Sequence, residues 1–242
     1  MSNLASNFKS ALTTTPSLTV DPHLRVLALS LFVFLATCPA WSQEQGMAPS
    51  PAMAVYLPDY RVKAGDEPRL LGATHLILFS AKANEDGAVD FSRIKPELLA
   101  FAEKARARNP IAVTVCVGGW GKSNHFAAAV SSGATRERFV NDLVAFCLKH
   151  DLGGVDIDWE FPKGDREDSD FEAFIKLLSA RLHADERILT IALGYTRPLS
   201  AECWRHIDQV NLMSYQPWSV QPYEPWLEDS IKRFLAAGLP PE

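Results

Sequence analysis

The ten residues from Gly153 to Pro162, GGVDIDWEFP, carry acids at every second position inside an otherwise apolar run. Side chains two apart in an extended strand point the same way. Asp156, Asp158 and Glu160 therefore share one face, and Val155, Ile157 and Trp159 share the other. Alternating acids of this kind fit the solvent face of an edge strand, or a set of oxygen ligands for calcium or magnesium. The apolar residues around the run favour burial instead, and hard cations usually recruit loop carbonyls as well. Three carboxylates at steps of about 7 Å in a low-dielectric interior do not all ionise, so each raises its neighbours' pKa and protons are shared. A carboxyl group that keeps its proton near neutral pH is a general acid.

Outward from this strand, short β-type runs alternate with longer segments of helical period. The strands expected are Ala54 to Leu57, His75 to Ser80, Ile111 to Val117, Gly154 to Trp159, Ile188 to Leu193 and Gln209 to Ser214. One helix face is marked by Phe139, Leu143, Phe146 and Cys147 behind a Thr135 cap, and a second by Phe171, Phe174, Ile175, Leu178 and Leu182. A last stripe, Ile231, Phe234 and Leu235, is stopped by Gly238 and Pro240. Strict alternation means parallel strands with right-handed crossovers, closed into a barrel or opened as a doubly wound sheet. No glycine-rich phosphate fingerprint follows the first strand, which weighs against nucleotide binding. In a parallel barrel the acidic face points inward and climbs toward the C-terminal mouth, with Glu160 outermost.

At 242 residues, 47% of them hydrophobic, the chain has material for one substantial core. A formal net charge of -5 with no run of like charges leaves no electrostatic footprint for nucleic acid, and an uncharged or weakly charged substrate fits better. Val26 to Thr37 is an apolar segment between Arg25 and the small residues Ala40 and Ser42, the pattern of a signal peptide. Its length is short of the roughly 20 residues that a spanning helix needs. We therefore expect export to a secreted or periplasmic location, a signal over residues 1–42, a linker over 43–51, a globular domain over 52–242, and no membrane span after cleavage. A lipoprotein reading exists around Cys38. The mature chain keeps Cys116, Cys147 and Cys203, an odd number that makes no disulfide framework, and no Cys or His pair has zinc-ligand spacing. Nothing in the sequence points to a cofactor.

The octet Gly153 to Glu160 resembles the Asp-Gly-x-Asp-x-Asp-x-Glu signature of family 18 glycoside hydrolases, the chitinase-type enzymes. Cys116-Val-Gly-Gly119 before Trp120 is similar to that family's Ser-x-Gly-Gly strand end, and Met213-Ser-Tyr215 to its Met-x-Tyr-Asp strand. The likeness runs from about Ala54 to the end. It implies an α/β fold, a (β/α)8 TIM barrel of which six βα units are present, because the chain stops where the family enters its seventh strand. It also implies hydrolysis of β-1,4 bonds beside N-acetylglucosamine with retention, the sugar's own acetamido oxygen acting as nucleophile. In that scheme Glu160 is the acid, Asp158 orients the acetamido group, Asp156 tunes Asp158, and Tyr215 holds the acetamido oxygen. The implied substrate-binding set is Tyr56, Gly118, Gly119, Trp120, Met213, Gln216 and Trp218. Trp120, Phe161, Trp218 and Tyr223 are also placed in loops where aromatic rings either stack on sugar faces or pack against the protein, as single aromatics more often do.

Three residues depart from the family pattern: Gly153 for the leading Asp, Cys116 for Ser, and Gln216 for the Asp after the tyrosine. The thiol is a weaker donor than a hydroxyl, and the amide carries no charge. The classes that remain are a glycosidase acting on chitin, peptidoglycan or an N-glycan core, a silent carbohydrate-binding relative, and a divalent-metal protein. The intact Glu160 favours the first.

Overall fold

The structure, a computed structural model, describes residues 52–194, 198–213, 215 and 223–240. The expected signal and linker, as well as Gln216 and Trp218, lie outside the described residues.

The strands are β1 (Ala54–Pro58), β2 (His75–Ala83), β3 (Val89–Asp90), β4 (Ala112–Gly118), β5 (Gly154–Asp158), β6 (Ile188–Gly194) and β7 (Gln209–Met213). The helices are α1 (Pro96–Arg108), α2 (Phe126–Val130), α3 (Gly133–Lys149), α4 (Gly164–Ala184) and α5 (Tyr223–Ala236). Six strands are parallel in the order β1-β2-β4-β5-β6-β7 and form a half-barrel with helices between them. These are the six strands expected from the alternation. The two-residue β3 pairs antiparallel with the end of β2 and was too short to show in the pattern. Among the described residues β1 and β7 each pair on one side only.

The apolar face of β5 explains why the strand sits where it does. Val155 and Ile157 are fully buried and Trp159 nearly so. The Trp159 ring packs on Phe126 of α2 at 5.4 Å and on Phe171 of α4 at 5.3 Å. Phe126 continues to Phe139 of α3, and Phe139 stacks on Phe174 of α4 at 4.7 Å. Each such pair adds about 0.5–1.5 kcal/mol beyond its buried area. This aromatic chain clamps three helices onto one strand, so the acids on the opposite face of β5 are held inside the half-barrel.

Two expectations need correction. The cap of α3 is Ser132, whose hydroxyl accepts the Thr135 N–H at 3.2 Å, and Thr135 lies within the first turn. Serine at that position is extended in backbone and free to turn its oxygen inward, which a residue already in helical geometry cannot do. In the last stripe, Phe234 is fully buried against Trp204, whereas Ile231 and Leu235 are 44% and 41% exposed. The helix meets the described core through Phe234 and through Ser230 one turn before it.

Candidate active site

Register across the sheet assembles the site. Cys116 of β4, Asp156 of β5 and Thr190 of β6 are aligned partners, and one step up Gly118 lies beside Asp158. The acids thus climb from a fully buried Asp156 through a 5% exposed Asp158 to a partly exposed Glu160 just past the strand end. Asp158 and Glu160 line a cavity of about 760 Å³, together with Tyr56, Trp120, Met213 and Tyr215. Trp120 is 80% exposed and Tyr215 74%, so both stand at the rim.

Each carboxyl has a distinct environment. Asp156 accepts from Thr190 Oγ1 at 2.5 Å and from Asn211 Nδ2 at 3.3 Å, both on its Oδ1. Burial pushes its pKa up, and hydrogen bonds from Thr190, Tyr56, Cys116 and Asn211 act against that push. Asp158 is pushed up to about 8 by burial and by the charges of Glu160 and Asp156, with Lys122 pulling the other way. Glu160 is also raised by burial, less the hydrogen bond it takes from the Trp120 backbone N–H. Proton sharing within the row is therefore centred on the middle acid. Asp158 sits between two carboxylates, whereas Glu160 is wetter and receives a donor. The thiol of Cys116 is raised well above its usual value by burial and by Asp156 and Asp158, so it stays protonated as a neutral neighbour.

The glycines act by close approach. Gly118 and Gly119 do not line the cavity among the described residues. Both have positive φ, 104° and 98°. A β-carbon on Gly118 would overlap the Asp158 carbonyl, and one on Gly119 would overlap the Phe79 ring and stand 3.5 Å from Asp158 Oδ2. Their absence of side chains lets the end of β4 press against β5, where the Gly119 N–H donates to the Asp158 carbonyl at 2.7 Å. Phe161 does not line the cavity either. Its ring packs against Gly194 and lines a separate pocket of about 250 Å³ with Trp159 and Leu193. The Tyr223 side chain lies outside the described residues.

Several polar groups of the site went unmarked in the sequence. The Ser123 hydroxyl accepts the Glu160 N–H at 3.1 Å and donates to the Asp158 carbonyl at 3.0 Å, tying the loop after β4 to the backbone under the outer acid. Lys122 Nζ lies 4.1 Å from the centre of the Phe79 ring and donates to Ser80 Oγ at 3.1 Å. Thr190 and Asn211 reach Asp156 from neighbouring strands. Parity along β7 is the one signal that could have found Asn211, which shares a face with Met213 two positions on.

A ladder of buried carboxyls at the C-terminal mouth of a parallel half-barrel, beside an aromatic-rimmed cavity, lies where parallel-barrel folds keep their active sites. Residues 52–236 match the family described as Glycosyl hydrolases family 18, and the chain belongs to that family. A "chitinase-like effector" of Moniliophthora roreri is 28% identical over 206 residues, covering 70% of this chain and 50% of the relative. "Chitinase 1" of Aphanocladium album is 30% identical over 170 residues, covering 57% of this chain and 40% of the relative. In fold, a family 18 chitinase from Cycas revoluta in complex with (GlcNAc)3 superposes with a TM-score of 0.67 at 24% identity, covering 79% of this chain and 66% of that one. The chain thus spans about half or less of the length of the curated relatives it matches.

Proposed function

We propose that this chain carries the catalytic acids of a retaining, substrate-assisted glycosidase that cleaves β-1,4 bonds next to N-acetylglucosamine in a chitin-like polymer. The observation that carries the reading is the graded acidic row, with Glu160 at the cavity rim and a protonated Asp158 directly beneath it. Glu160, whose hold on its proton is strengthened by partial burial, donates to the glycosidic oxygen of a sugar seated in the cavity. The sugar's 2-acetamido oxygen is tethered close to its own anomeric carbon and attacks it, so no enzyme carboxylate need do so. Asp158 accepts the acetamido N–H on its outer oxygen. As positive charge develops on the resulting ring, the Asp158 proton moves toward Asp156 and the row offsets that charge. Tyr215 holds the acetamido oxygen, Met213 and Tyr56 shape the pocket, and Trp120 offers a face for a neighbouring sugar. Glu160 then takes a proton from the incoming water.

The relatives named as chitinases support a chitin-like substrate, and the apolar segment over residues 26–37 supports export. Reporter release from N-acetylglucosamine oligomers by the wild type and by Glu160→Gln tests the reading. We expect the variant to be slower by about 10²-fold or more. Equal rates would remove Glu160 from the acid role. A second reading, sugar binding without turnover, is supported by the relative named a chitinase-like effector. Saturable oligomer binding with no release in the wild type would establish it.

A further inference from the structure

The family signature contributes no residue from β7 below Met213, yet that strand reaches the deepest acid. Asn211 Nδ2 donates to Tyr56 Oη at 3.0 Å and to Asp156 Oδ1 at 3.3 Å. The orientation of its amide is set from below, because Gln209 Nε2 donates to Asn211 Oδ1 at 2.7 Å. With the carbonyl end occupied as an acceptor, the amino end is the one turned to Asp156, and it can only donate. Thr190 Oγ1 donates to the same carboxylate oxygen. Asp156 Oδ1 therefore has two donors from β6 and β7, and Tyr56 and Cys116 also reach the carboxyl.

Donors aimed at a carboxylate favour its charged form. We propose that Asn211 is a positioning residue: by donating to Asp156 and Tyr56 from the open side of the half-barrel, it holds Asp156 as the anion and so keeps the proton of the acidic pair on Asp158. The groups facing Asp156 are Tyr56 from β1, Cys116 from β4, and Asp158 from its own strand with Glu160 beyond it. Lys122 acts on Asp158 from the loop after β4, and β6 and β7 present the neutral Thr190 and Asn211. Tyr56 and Cys116 are both raised, chiefly by burial, and remain neutral across the working range. Asn211 is then the donor from β7 that, beside Thr190, biases where one shared proton resides. The consequence for catalysis rests on the glycosidase reading, since a proton already on Asp158 is poised to retreat to Asp156 when charge develops in the sugar.

The test uses the full chain with 13C-labelled aspartate carboxyls, the two signals assigned through Asp156→Asn and Asp158→Asn. At pH 6 the wild type should show Asp156 as a carboxylate and Asp158 as a carboxylic acid. Asn211→Leu, which keeps the volume and removes the donor, should move the ratio of the two singly protonated forms toward Asp156 by about tenfold. Gln209→Leu leaves Asn211 in place but frees its amide, and should move the ratio the same way by less. An unchanged ratio in both variants, with an otherwise native amide spectrum, overturns the assignment. The measurement needs no turnover, so an inactive chain leaves it intact. Where the chain is active, the basic limb of the kcat profile should move in Asn211→Leu, a shift that loosened packing alone does not produce.

Discussion

Replacing Asp158 by asparagine should make the folded chain more stable at alkaline pH and leave it unchanged in acid. An aspartate in the unfolded chain releases its proton near 3.8, whereas folded Asp158 keeps it to about 8. The folded pKa is the higher one, so the stability present below pH 3.8 is lost progressively as pH rises toward 8. At about 1.4 kcal/mol per tenfold, the whole separation corresponds to about 6 kcal/mol as an upper limit. Part of the same proton affinity belongs to the neighbouring acids with which Asp158 titrates, which leaves about 2–4 kcal/mol attributable to this position. Asparagine has the same shape and no proton to lose. Urea unfolding of both proteins at pH 4 and at pH 8.5 reads the effect directly. We expect the midpoints to agree at pH 4 and to separate at pH 8.5, with Asp158→Asn the more stable. A difference of the same size at both pH values would refute the placement of a raised carboxyl at Asp158.

Other consequences follow from the packing and the rim. Gly118→Ala should destabilise the fold by about 3 kcal/mol or more, because the new methyl overlaps the Asp158 carbonyl and the backbone has φ near 104°; thermal melting measures it. Ser132→Ala should lower stability by about 1 kcal/mol through loss of the α3 cap, and Ser132→Asp should restore most of it. Trp120→Ala, at an 80% exposed position, should leave the melting temperature unchanged and weaken oligosaccharide binding about tenfold in calorimetry.

How far the sequence disclosed this architecture depends on whether a feature is local. The alternation of β5 is local: period two placed Asp156, Asp158 and Glu160 on one face and Trp159 on the other, and the aromatic chain through Phe126, Phe139, Phe171 and Phe174 is the burial that this pattern demands. The donors on Asp156 are not local. Thr190 and Asn211 lie 34 and 55 residues away and meet it only because β5, β6 and β7 are consecutive neighbours in the sheet. The same limit applies to Ser123, a loop hydroxyl 37 residues from the backbone it supports. Phe161 shows a choice that sequence left open: an aromatic directly after the outer acid reads as a sugar platform or as packing, and here the ring packs against Gly194. Sequence also read the three acids as sharing protons, with Glu160 outermost, but that the middle one is raised to about 8 between two like charges follows only from the depth of each carboxyl in the folded chain.

Glu160 delivers a proton to a sugar whose own acetamido group attacks in the proposed reaction, and proton NMR of the first-formed product from N-acetylglucosamine oligomers reads both halves of that step at once. We expect the β-anomer to appear first, no such burst with Glu160→Gln, and no cleavage of glucose oligomers that lack the amide. Initial release of the α-anomer, or equal hydrolysis of the glucose oligomers, would contradict it.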